Sequence, residues 1–188
     1  MVAGCVGEFW TRMTYAHVTS RLGADEARMI ERGIRLGKAL QMTNVLRDCA
    51  KDLRIGRCYL PQMMLAEAGL TPEELLEPEN ARRVRPVLLK LIPFALDHFR
   101  AGLDYALALP RTVPRLRLAC VWPIAIGLET MKLLAVREDW LSPAHPIKIQ
   151  RNKVYNILAQ SLPYVASNRL LRGWIENLLA EVKARLRA

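Results

Sequence analysis

Gln41-Met42-Thr43-Asn44-Val45-Leu46-Arg47-Asp48-Cys49-Ala50-Lys51-Asp52, closed by Gly56-Arg57-Cys58-Tyr59-Leu60-Pro61, is the stretch that decides how this chain is read. Followed backwards, one row of residues recurs at steps of three and four: Ala27, Ile30, Ile34, Gly37, Gln41, Asn44, Asp48 and Asp52. That spacing puts all of them on one face of a single helix. The first four are apolar or small, so the face is expected to point inward; the last four are carboxamides and carboxylates. Unpaired buried carboxylates are costly, so the face predicts a counter-charge. Asp48 and Asp52 lie one turn apart with Asn44 one turn earlier, a row of oxygen donors suited to Mg²⁺ shared with a phosphate. Arg47, Lys51, Arg54 and Arg57 are close by, and a guanidinium group takes phosphate oxygens two at a time. The D-x-x-x-D spacing alone is common on solvated helices. The apolar row before it and the Gly-Arg after it are what raise it to a candidate site.

Outward from this helix, apolar residues keep recurring at three- and four-residue steps, and strand-like alternation is absent. Helices are predicted over residues 2–15, 24–53, 78–109, 114–136, 149–161 and 168–187. The first has Val2, Val6, Phe9 and Met13 as its apolar stripe, and Gly56 is a natural stop for the second. Thr71-Pro72-Glu73-Glu74 has the form of a capping box with proline at the first helical position. Pro93 is expected to bend the long helix and Pro110 to end it, while residues 137–146, with Pro143 and Pro146, read as a loop. The last helix alternates Leu171, Trp174, Leu178 and Val182 with Arg169, Arg172, Lys183 and Arg185. It is expected to close the bundle, the alternative being an anionic membrane surface. The architecture is an all-α bundle.

Composition narrows the classes. The chain has 188 residues, 28 Lys and Arg against 18 Asp and Glu, and a net charge of +10. With 52% hydrophobic residues it can bury a core, which excludes intrinsic disorder. Cys5, Cys49, Cys58 and Cys120 are scattered without a C-x-x-C pair, so neither a disulfide framework nor a zinc site is expected. The positive charge suits nucleic acid, an anionic membrane or a phosphate-bearing substrate. No aromatic-interleaved basic stripe accompanies it, so no nucleic-acid partner is expected. The most apolar run, residues 118–128, ends before Glu129 and Lys132 and is too short to span a bilayer. No basic leader precedes Glu8. A soluble, cytoplasmic chain in a reducing compartment is expected. His17, His98 and His145 are isolated and read as structural or solvated; Trp10, Trp122, Trp140 and Trp174 read as packing anchors.

The quoted stretch resembles the second aspartate-rich signature of the squalene/phytoene synthase family, N-x-x-R-D-x-x-x-D followed by G-R-x-Y/F-x-P. Val2-Ala3-Gly4-Cys5-Val6-Gly7 resembles the family's V-A-G-x-V-G helix, and the likeness continues through residues 116–134 and Lys148-Ile149-Gln150-Arg151. The resemblance implies an all-α isoprenoid synthase bundle that condenses two prenyl diphosphates head to head through a cyclopropylcarbinyl diphosphate. NADPH reduces that intermediate in the squalene branch, and a proton is lost in the phytoene branch. The squalene type is preferred here, from the 148–151 and 116–134 regions. Carried over by residue, Asn44, Asp48 and Asp52 would bind Mg²⁺ and diphosphate. Arg47 and Arg57, with Lys148 and Arg151, would contact the diphosphate. Gln41 would line the reaction chamber and Tyr59 would sit near the reacting end. Gly4 and Gly7 would open room for the isoprenoid tail, or else allow close helix packing. Lys51 departs from the acidic residue often found just before the last aspartate.

The family presents two aspartate-rich motifs on facing helices, and the other acids of this chain do not form a second D-x-x-x-D in a matching context. Residues 1–188 therefore read as the C-terminal part of a single synthase domain, without its N-terminal helices. From this follow three expectations: little condensing activity by the chain alone, an uncovered apolar groove, and a partner chain or further segment supplying the first motif. A non-catalytic subunit that binds prenyl diphosphate is the alternative. Peripheral membrane contact is expected where an apolar product would leave.

Overall fold

The computed structural model describes residues 2–18, 22–142 and 146–187; Pro143 and His145, named above, lie outside them. The described helices are α1 (Val2–His17), α2 (Glu26–Arg54), α3 (Gln62–Glu67), α4 (Ala81–Ala108), α5 (Pro114–Val136), α6 (Arg151–Tyr164) and α7 (Asn168–Arg187). Among the described residues there is no strand.

The start and stop of α2 are written locally. Asp25 caps its first turn, its carboxylate accepting the Arg28 amide at 2.9 Å. Beyond Arg54 the chain turns at Gly56, whose φ of 75° favours glycine. There the Gly56 amide donates to Leu53 O and the Arg57 amide to Asp52 O, the two bonds of a Schellman turn.

Which face of α2 points inward differs from the reading above. The buried residues are Met29, Gly33, Leu36, Ala39, Thr43, Leu46, Cys49 and Ala50. The row from Ala27 to Asp52 lies well over a third of a turn away around the axis: Ala27, Gln41 and Asn44 are exposed, and Ile30, Ile34, Gly37, Asp48 and Asp52 are half-buried. The reason is the neighbour each flank meets. α1 crosses α2 at a seam of small residues, where a Cβ on Gly7 would lie 1.9 Å from Gly33 O and one on Gly37 2.1 Å from Ala3 O. Only bare backbone fits there. Thr11 and Thr14 complete the seam; the Thr11 hydroxyl donates to Gly7 O at 2.8 Å and lies 3.2 Å from the Tyr105 hydroxyl. The large stripe of α1 is consequently turned outward, with Val6, Phe9 and Met13 all exposed, and Trp10 is 45% exposed rather than a packing anchor.

α4 runs unbroken through both Pro86 and Pro93, each of which lies on its exposed side, where a freed carbonyl can turn to water. Only half of the capping box forms, Glu74 accepting the Thr71 amide at 2.7 Å while the Glu74 amide goes to the Thr71 carbonyl, and it opens a short 3₁₀ turn, Glu73–Leu76, ahead of α4. α5 is the central helix. By length and composition it could cross a membrane, a longer apolar span than residues 118–128 suggested, yet most of it is buried against its neighbours. Glu129 and Lys132, which made the run look short, pair with each other inside the protein at 2.7 Å. Arg117, fully buried, donates to Leu109 O at 3.0 Å and Asn168 Oδ1 at 2.7 Å, joining the end of α4 to the start of α7. Leu171, Ile175, Leu178, Leu179 and Val182 of α7 are buried, so that helix closes the bundle.

Candidate functional site

Two concavities lie along the strip where α2 and α5 run side by side. α5 contributes Ala119, Pro123, Ile126 and Thr130, at steps of four, three and four and so on one stripe. At the α1 end, Val6, Gly7, Trp10, Gly37, Leu40 and Pro123 line an apolar hollow of about 180 Å³. Farther along α2, a cavity of about 840 Å³ is lined by Arg47, Asp48, Lys51, Arg54, Ile126, Thr130, Trp140, Ser142, Ile147, Lys148 and Ile149. The strip thus changes from apolar to strongly charged along its length.

At the charged end the Arg47 guanidinium grips its neighbour's carboxylate with both arms, Nε to Asp48 Oδ1 at 2.9 Å and Nη2 to Asp48 Oδ2 at 2.6 Å. The hydrogen bonds from Arg47 hold the Asp48 carboxyl below the usual carboxylate range, and the same pair raises Arg47. Both side chains remain over one-third exposed, at 37% and 40%. The far wall is the segment after α5, and α2 fastens it. Trp140 Nε1 donates to Leu46 O at 2.6 Å, and Arg54 Nη2 donates to Leu141 O at 2.9 Å.

Of the residues named from the sequence, this arrangement gathers Arg47, Asp48 and Lys148 around one cavity, with Lys51 and Arg54 beside them. Gln41, Asn44 and Asp52 continue the α2 row but are not in that lining. Arg57, Tyr59 and Arg151 are exposed and also outside it. Gly7 borders the apolar hollow and belongs to the seam. Gly4 is buried with a would-be Cβ 3.2 Å from Ile34 Cγ2, outside the hollow's lining. Missed from the sequence were Ile126, Thr130 and Ile147, and Trp140 as a cavity wall. Only the α5 stripe and the proximity of a loop to α2 could have signalled them.

The fit to Mg²⁺ is a question of donor chemistry. Asn44, Asp48 and Asp52 offer one amide oxygen and two carboxylates at successive turns of α2, and Asp52 stands in its last turn, where the negative end of the helix dipole favours a cation. Among the described residues no cluster of three His, Cys, Asp or Glu side chains gathers. The set therefore suits an ion held by one or two carboxylates and completed by substrate oxygens and water, the usual way of Mg²⁺.

A family model described as squalene/phytoene synthase matches residues 1–153. The 15-cis-phytoene synthase of Enterobacter agglomerans is 31% identical over 136 residues, covering 72% of this chain and 41% of its own length. The phytoene synthase of Pseudescherichia vulneris is 34% identical over 139 residues, with 72% and 39% covered. The presqualene diphosphate synthase of Rhodopseudomonas palustris is 32% identical over 162 residues, with 85% and 53% covered. Among solved structures, a ligand complex of TcSQS superposes with a TM-score of 0.79 at 18% identity, over 99% of this chain and 58% of that one. That last likeness concerns the fold. The matches thus span about two-fifths to three-fifths of these relatives' lengths.

Proposed function

Because the chain belongs to the squalene/phytoene synthase family, we propose that it supplies the second-aspartate-motif part of an enzyme that condenses two prenyl diphosphates head to head. The observation that carries this reading is the α2–α5 strip, apolar beside Gly37 and Leu40 and charged beside Arg47 and Lys148. Its two ends match the two ends of a prenyl diphosphate, an isoprenoid tail and an anionic head. Arg47, Lys51, Arg54 and Lys148 would hold the diphosphate, and Arg57 and Arg151 would add charge at the mouth. Departure of the diphosphate leaves a carbocation, so fixed positive groups aimed at the leaving oxygens lower the barrier. Asp48 and Asp52 with Asn44 would hold Mg²⁺, which would supply further charge stabilisation there. Ile126, Trp140 and Ile149 line the same cavity and would keep water from the cation. Gln41 and Tyr59 are proposed to approach the reacting carbons from the exposed side of α2.

The reading also proposes that the remaining part of the fold, carrying the first aspartate motif, comes from a partner chain or further segment. The outward stripe Val6, Phe9 and Met13, exposed at 61%, 62% and 40%, supports such a cover. A cytoplasmic site with peripheral membrane contact belongs to the same proposal. The named relatives include phytoene and presqualene diphosphate synthases, so both branches stay within it. NADPH belongs to the reductive squalene branch alone.

Product analysis tests the proposal. Co-expressed with the N-terminal half of a family member, the chain should convert farnesyl or geranylgeranyl diphosphate to a head-to-head product when Mg²⁺ is present. Adding NADPH should change that product only in the squalene branch. Tight diphosphate binding without turnover in every combination would favour a non-catalytic subunit. No product and no binding would sink both.

A further inference from the structure

Lys148 reaches the charged cavity from a short rim, residues 146–150, that leads into α6. What holds that rim is not evident from its own sequence. α6 begins at Arg151 with Gln150 in the cap position, and no side chain caps it. Its first turn has no acid and carries Arg151 and Lys153, cations at the positive end of a helix dipole. Left to local preference, this turn would fray.

Ile147 is buried and anchors one end of the rim. The other end is tied from outside. Lys153 Nζ lies 3.3 Å from Glu129 Oε1. That same oxygen is 2.7 Å from Lys132 Nζ, which in turn is 2.5 Å from Glu181 Oε2. Glu129 is only 7% exposed and Lys132 9%, whereas the Lys153 side chain is half exposed. Burial alone would push the Lys132 ammonium down, but its hydrogen bonds to Glu129 and Glu181 hold it above its ordinary value. The charge on Glu129 is therefore fixed in place from two sides, and it faces a helix start that has no acid and no side-chain cap of its own. The neighbouring residue Thr130 lines the charged cavity, so a single turn of α5 both shapes that cavity and carries the anchor.

We propose that Glu129 is a positioning residue: acting through Lys153, it pins the first turn of α6 and so sets where Lys148 and Ile149 stand at the cavity. The consequence for diphosphate affinity rests on the proposed function; the pinning of the rim does not.

Hydrogen–deuterium exchange of the 188-residue chain, read beside calorimetric titration with inorganic diphosphate and Mg²⁺, tests both parts. Glu129→Gln and Lys153→Met should each raise exchange of the amides of residues 153–157, the first hydrogen-bonded ones after the rim, by about three- to tenfold while those of α2 stay unchanged. Lys153→Arg, which keeps the charge, should restore protection. Lys153→Met alters a half-exposed side chain and so guards against general misfolding of the Glu129 variant. Both variants should weaken diphosphate binding by roughly two- to fivefold, and neither should weaken it further once Lys148 is methionine. Unchanged exchange of those amides in Lys153→Met would overturn the proposal. Raised exchange with unchanged diphosphate affinity would overturn the link from rim to ligand. A parent chain that binds no diphosphate would overturn the proposed function, with the exchange result still deciding the role of Glu129.

Discussion

α5 and α2 each carry acid and base side by side on a helix packed in the bundle, and the two clusters are completed in opposite ways. On α5, Glu129 and Lys132 close on each other and on Glu181 and Lys153, nearly out of contact with water. Every charge there has a protein partner. On α2, Arg47 and Asp48 pair at 2.6 Å but stay over one-third exposed, beside Lys51, Arg54 and Lys148 at a cavity of about 840 Å³. Among the described residues lining that cavity there are four cations and one carboxylate. The first arrangement is how a charge serves a fold, and the second is how charge is left available to an anion.

The contrast can be broken at its closed end first. Lys132→Met removes the shared cation and leaves Glu129 buried with only half-exposed Lys153, so unfolding should become easier by about 3 kcal/mol. For a chain of this length that is roughly a 6–12 °C fall in melting temperature. Calorimetry would read it, and an unchanged melting point would mean the buried cluster contributes no stability.

The open end should respond the other way round. Arg47→Met is expected to weaken Mg²⁺–diphosphate binding about tenfold to a hundredfold while changing stability by less than about 1 kcal/mol. Titration beside thermal unfolding separates the two quantities. A large loss of stability with intact binding would make Arg47 a structural residue and erase the comparison.

The smallest effect is the acid limb of the Arg47–Asp48 pair. The folded carboxyl of Asp48 titrates below its unfolded value. Its contribution is therefore fully present above the unfolded value and is lost as pH falls through the lower, folded one. Solvent screening keeps this under about 1 kcal/mol. Stability measured from neutral pH down to pH ~3 should fall less steeply in Asp48→Asn than in the parent. Equal slopes would mean the pair adds nothing to folding.

How much of this was legible depends on what each element needed from its neighbours. The ends of α2 were readable, because a Schellman turn at Gly56 satisfies carbonyls of its own helix. Its inward face was not. Ala27, Ile30 and Ile34 are as periodic as Met29, Leu36 and Ala39, and periodicity cannot say which row meets the core. On α1 the large apolar stripe was the natural choice for the buried face, yet Gly4, Gly7, Thr11 and Thr14 took that place. Two backbones that approach within contact select small residues, and a hydrophobicity pattern has no term for that. The buried charges of α5 misled in the same way, since Glu129 and Lys132 look solvated until Glu181 and Lys153 arrive from other helices.

The sequence by itself determined the helical class, the ends of α2, the family and the row from Asn44 to Asp52, because each rests on residues within a few turns of one another. The tertiary structure decided that Lys148 and Trp140, some hundred residues from Arg47, share a cavity with it. It also decided that α1 shows its large side chains outward. Those outcomes depend on which helices pack together and how closely, a property of the assembled bundle that no local spacing encodes.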